Sequence, residues 1–138
     1  VDLPAVRAWT HHWLGDGLGL GDWELGVTLV SAPAMARLNR RWLDHAGSTD
    51  IITFDHRSSP HEPLHGELFI SVDDAVSQAA EFGTTPSSEL LRYVIHGVLH
   101  LQGHDDREPR SRARMKREED RWVRWLGQRV GKGRLVHG

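Results

Sequence analysis

The stretch TPSSELLRYVIHGVLHLQG, residues 85–103, constrains this chain more than any other. Thr85 offers an N-cap hydroxyl, Pro86 suits the first helical position, and Gly103 is a stop, so one helix is predicted between them. Leu90, Leu91, Val94, Ile95, Val98 and Leu101 fill one arc of that helix. Glu89, Arg92, Tyr93, His96 and His100 share the other. Core histidines would fall within the apolar arc, and these two do not.

The rest of the chain supplies the layers. PAVRAWTHHWLG predicts a first helix that starts near Pro4 and ends at Gly15, and DWELGVTLVS a strand. APAMARLNRRWLDH has helical spacing, with Met35, Leu38 and Trp42 along one side. DIITF is a short strand, SSPHEP a loop, and GELFISVD a strand with Leu68, Ile70 and Val72 on one face. Asp73 is then a cap for the helix DAVSQAAEFG, closed by Gly83, and a last charged helix runs over about 109–127 with Trp122, Trp125 and Leu126 inward. The six tryptophans fall at helical spacings that point to the core. This order predicts one domain over residues 1–138, an α/β (α+β) layer structure with a small mixed sheet packed by helices.

Composition excludes some classes and sharpens one. No apolar run approaches the ~20 residues of a membrane span, and VDLPAVRAW lacks the layout of a secretory signal, which predicts a cytoplasmic protein with no membrane partner. Without cysteine, disulfides and thiolate zinc sites are ruled out. The net charge of −2 hides an asymmetry: residues 1–106 carry 6 basic and 15 acidic side chains, residues 107–138 carry 11 and 4. Arg110, Arg112, Arg114 and Arg117 therefore form either a salt-bridged solvated face or a patch that positions phosphates.

HGVLHLQGHDD, residues 96–106, has the spacing of a metal site. His96 and His100 stand about 40° apart around the helix, their Cα atoms roughly 6 Å apart. Gly103 lets the chain turn back, so a residue beyond it can face the same ion. A catalytic zinc takes three nitrogen or oxygen ligands and leaves one position open. His96, His100 and Asp106 make that set, with His104 as the rival third ligand, and the helix would serve as the zinc helix of a metzincin-like site. H-E-x-x-H peptidases place their general base where this chain has Gly97, so their mechanism lacks a part here.

The motif resembles H-G-x-L-H-L-x-G-Y-D-H, the signature of the YbeY family of ribosomal RNA maturation endoribonucleases. LNRRWLDHAGSTDIITFD, GELFISVDDAVSQAAEFG and ELLRYVIHG resemble further family segments, so the likeness covers residues 38–120. It implies a zinc-dependent hydrolase with one Zn²⁺ per chain. Its partners would be ribosomal RNA, the small subunit and ribosome-associated proteins, and its work small-subunit 3′-end maturation and ribosome quality control. Two positions depart from the pattern: Asp106 replaces the third motif histidine, and Leu43 stands where many members carry a suspected functional arginine.

Two nucleophiles are compatible with such a site, a metal-bound water and the RNA's own 2′-hydroxyl. Asp105 and Asp50 are the candidate bases, and Arg92, Arg40 and Arg41 the candidate substrate contacts. The alternatives are a zinc hydrolase of another substrate class, such as a peptidase, and a ribosome-associated factor with a structural metal.

Overall fold

The computed structural model describes residues 1–43, 50–104 and 107–130, apart from the side chains of Trp42, Leu43 and Val130. Three strands, β1 (Trp23–Val30), β2 (Ile51–Asp55) and β3 (Leu64–Ser71), form a sheet of order β1-β3-β2. β1 runs parallel to β3 and β2 antiparallel, which makes the sheet mixed. Among the described residues five α-helices surround it: α1 (Leu3–His12), α2 (Ala32–Leu43), α3 (Val72–Phe82), α4 (Pro86–Leu101) and α5 (Pro109–Val130).

Alternation along β3 decides which face is which. Leu64, Leu68 and Ile70 are buried and belong to one large core with Leu90, Leu91, Val94, Ile95, Val98, Leu99 and Leu101 of α4. Trp9 and Trp13 join that core from the N-terminal helix, and Met115, Trp122 and Leu126 from α5. Phe69 pairs with Ile52 on the other face, where Ile52 and Met35 are buried and α2 lies against β3.

Two glycines set how closely α4 approaches the sheet. A Cβ on Gly97 would stand 2.8 Å from both Ile51 Cδ1 and Leu68 Cδ2. On Gly66 of β3 it would stand 2.8 Å from Leu101 Cδ1 and 2.9 Å from the Phe54 carbonyl. Those separations lie well inside normal carbon contact. Position 97 therefore belongs to the sheet-facing core, one residue from His96.

The ends of α4 are closed as its sequence predicts. Thr85 Oγ1 accepts from Ser88 N at 3.1 Å and Ser88 Oγ from Thr85 N at 3.2 Å, a reciprocal capping box. At the other end Gly103 takes φ +104°, with His104 N donating to Leu99 O and Gly103 N to His100 O. That pair of bonds is a Schellman motif, which turns the chain back after His100. Arg57, paired with Asp55, donates to the Leu101 carbonyl at 2.5 Å, where a cation also favours the negative end of the helix dipole.

Three sequence expectations are corrected. Gly15 does not end the first helix, which widens into a π-helical turn over Trp13–Gly17 with Leu18 N bonded to Trp13 O. The wide turn buries Trp13 and Leu14 fully, and the chain leaves it at Gly19, φ +69°. Val72 is the first residue of α3 rather than part of β3. Ser71, not Asp73, caps α3, its hydroxyl accepting from Asp74 N. The Asp73 carboxylate instead accepts from Ala32 N at 2.7 Å, satisfying a donor at the start of α2.

Candidate active site

α4 is sandwiched: its apolar arc meets the sheet and α1, while part of its polar arc meets α5. The polar part of the contact with α5 is built from charges. His96 Nδ1 lies 2.7 Å from Glu119 Oε2, and both side chains are largely buried. Arg92 Nη1 donates to Asp120 Oδ1 at 2.7 Å and lies 3.7 Å from Glu119 Oε1. Glu119 thus sits between a guanidinium and an imidazole. As acceptor it draws the ring proton to Nδ1 and keeps the His96 lone pair on Nε2.

The other flank of this face is the start of β2. Tyr93 Oη lies 3.5 Å from Asp50 Oδ2, at the long limit of a hydrogen bond. Burial, and next the charge of Asp74, raise Asp50 above its usual carboxylate range, while Tyr93 and His96 pull it back. Burial followed by the Asp50 charge likewise pushes the Tyr93 phenol up. A carboxylate raised in this way is a stronger base than an ordinary one.

Among the residues the sequence points to, the structure groups His96, Arg92 and Asp50 around Tyr93 and Glu119. His100 is exposed one turn beyond His96. His104 is half-buried and shares a polar cleft with Gln102, Gly103, Ser111 and Arg114. Arg40 and Arg41 occupy the last turn of α2, which packs on β3 and α3. Asp105 and Asp106 lie outside the described residues.

Among the described residues no three His, Asp or Glu side chains gather closely enough to hold an ion. The donors that are described nevertheless suit one. Two imidazoles stand one turn apart on a helix, and a carboxylate backs the first of them, the arrangement that fixes a metal-binding histidine in orientation and tautomer. The Schellman turn after His100 supplies the reversal that a third ligand needs.

Glu119 is the residue that sequence reasoning misses. It lies 23 residues from His96, on a helix that looks basic. One signal was present: Glu118, Glu119 and Asp120 are the only acidic residues in α5. Two of the three turn out to face α4.

Comparison with known proteins shows the family and the fold. The family described as Endoribonuclease YbeY matches residues 3–127. An Endoribonuclease YbeY of Salinibacter ruber is 34% identical over 130 residues, covering 89% of this chain and 82% of that protein. One of Bacteroides thetaiotaomicron is 39% identical over 127 residues, covering 88% and 90%. The solution structure of TM1509 from Thermotoga maritima superposes with a TM-score of 0.68 at 25% identity, covering 98% of this chain and 90% of that one. Among the described residues no helix is long and apolar enough to cross a membrane.

Proposed function

The chain belongs to the YbeY endoribonuclease family, and from that premise we propose that it cleaves single-stranded RNA phosphodiesters in ribosomal RNA maturation. We assign it to the 3′ end of the small-subunit species and to ribosome quality control, in the cytoplasm. The observation that carries the reading is the His96–Glu119 pair on α4, followed one turn later by His100 and a chain reversal.

In this reading His96, His100 and Asp106 hold one Zn²⁺, with His104 as the alternative third donor. A zinc ion held there supplies a water of lowered pKa and a Lewis acid for a phosphate oxygen. The chain's own residues do the rest. Glu119 fixes the His96 ring, with Arg92 neutralising the far side of the carboxylate. Asp50, exposed before the start of β2, beside Tyr93 and raised by partial desolvation, is the general base that would accept the nucleophile's proton. Arg40 and Arg41 meet substrate phosphates from the end of α2. Arg92 acts through Glu119 rather than on RNA, since Asp120 already engages its guanidinium.

A peptidase of the H-E-x-x-H kind is disfavoured by packing as well as by sequence. Position 97 faces Ile51 and Leu68, where no glutamate fits. The test is cleavage of a labelled small-subunit RNA precursor by the zinc-loaded protein beside His100→Ala. Cleavage that disappears in the variant supports the reading. Equal cleavage by both, or none by either, removes it.

A further inference from the structure

The charges on α5 are not spread evenly round its axis. At about 100° per residue, Arg110, Arg114, Arg117, Arg121 and Arg124 fall within an arc of about 80°, and all five are exposed. Met115, Trp122 and Leu126, on the far side, are buried. The acidic residues lie outside the stripe, and Glu119 and Asp120 are turned toward α4.

A helix face built only for stability sets Glu against Arg at i,i+4, because like charges at that spacing work against the helix. Here arginine meets arginine at i,i+3 and i,i+4. Among the described residues Arg110, Arg114, Arg117 and Arg124 have no ion-pair partner, and Arg121 alone reaches an acid, Glu118, at 3.2 Å. The stripe is about 21 Å long and ends near the histidine helix. Arg114 and Ser111 share one polar cleft with Gln102, Gly103 and His104, the turn that follows His100.

We propose that this stripe binds the sugar-phosphate backbone of single-stranded RNA and leads the strand past the end of α4 toward His100. The proposal rests on the endoribonuclease reading and gives it a substrate path. Guanidinium groups match phosphate in a bidentate way, and a row at one-turn spacing follows a chain of phosphates. The apolar side of α5 is consumed in the core, which leaves a lipid surface nothing to bury. Among the described residues of α5 no exposed aromatic side chain accompanies the arginines, Trp122 being buried and Trp125 half-buried, so the binding is indifferent to sequence and sensitive to salt.

The test is fluorescence anisotropy of a labelled single-stranded RNA with the zinc-loaded protein across a salt series, RNA integrity being checked on a gel. The variants are the quadruple Arg110→Gln/Arg114→Gln/Arg117→Gln/Arg124→Gln, the control Arg7→Gln/Arg37→Gln, and His100→Ala. In the quadruple variant the slope of log affinity against log salt should shrink by about 0.7 for each arginine–phosphate pair removed, close to 3 in all, with roughly tenfold or greater loss of affinity at moderate salt. His100→Ala keeps the RNA intact and serves as the background in which the quadruple variant is repeated. An unchanged slope in the quadruple variant, or an equal loss in the control, overturns the proposal. So does retained RNA binding together with abolished binding to phosphatidylserine vesicles, which would assign the stripe to lipid. A wild type that binds RNA with the full slope but cleaves none would sink the enzymatic reading and leave the stripe standing.

Discussion

His96 and Gly97 are neighbours in sequence and opposites in environment. On the sheet side of α4 the packing is so close that Gly97 has no room for a methyl group. On the polar side, facing α5, a chain of charges, Asp120–Arg92–Glu119–His96, joins the helices beside the apolar core. The first face fixes where the helix lies, and the second fixes how one imidazole is turned. The site's accuracy therefore depends on a face that carries no chemistry.

The comparison breaks most sharply at position 97. Gly97→Glu restores the peptidase motif on paper, but it drives a carboxylate into Ile51 and Leu68. Overpacking together with an unpaired buried charge should cost about 3 kcal/mol or more. Urea unfolding followed by circular dichroism should show it, and a variant as stable as wild type would mean that α4 can lift from the sheet.

The polar face should respond in affinity rather than in fold. Glu119→Ala removes the acceptor behind His96 and should weaken metal binding about 10- to 100-fold, read by chelator competition. Glu119→Gln keeps an acceptor without the charge and should fall between. In the metal-free protein the ¹⁵N shifts of His96 should report a proton on Nδ1 that moves to Nε2 in the alanine variant. An unchanged tautomer would mean that Glu119 only ties two helices together.

How much of this was legible in the sequence follows from the range of each interaction. Thr85, Pro86 and Gly103 announce both ends of α4 because caps and stops act within four residues. The mixed sheet follows from the order of the elements, and the YbeY resemblance from motifs along one segment after another. Asp73 shows where local reasoning fails. It has the chemistry of a cap and acts as one, but for α2, 41 residues away. Ser71 takes the place assigned to it because β3 ends one residue earlier than its alternation suggests. Glu119 and the packing at Gly97 both depend on which elements become neighbours, and only the fold supplies that.

A smaller effect tests the cap that starts α4. Thr85→Ala deletes one half of the capping box and should lower stability by about 1 kcal/mol. The loss should appear equally with and without metal, because the box lies at the far end of α4 from His100. A loss confined to the metal-loaded protein would mean that the two ends of α4 are coupled.

The smallest effect is expected at Glu89, which shares the polar arc with His96 but is buried against the first turn of α4. Burial raises its pKa, against the pull of Arg92 and of a Thr84 hydrogen bond. A carboxyl whose pKa is higher folded than unfolded holds more protons in the native state. Stability therefore falls as pH rises from the ordinary glutamate value, about 4.3, to the raised one, and the penalty is complete above it. Glu89→Gln keeps a partner for Thr84 and removes the titration. The variant should be the more stable protein near neutrality, and the advantage should vanish as pH drops below the ordinary carboxylate range. Urea midpoints at several pH values would show two curves that converge in acid. Parallel curves would mean that Arg92 offsets the burial fully, and that the charge chain on α4 reaches one turn further back than His96 requires.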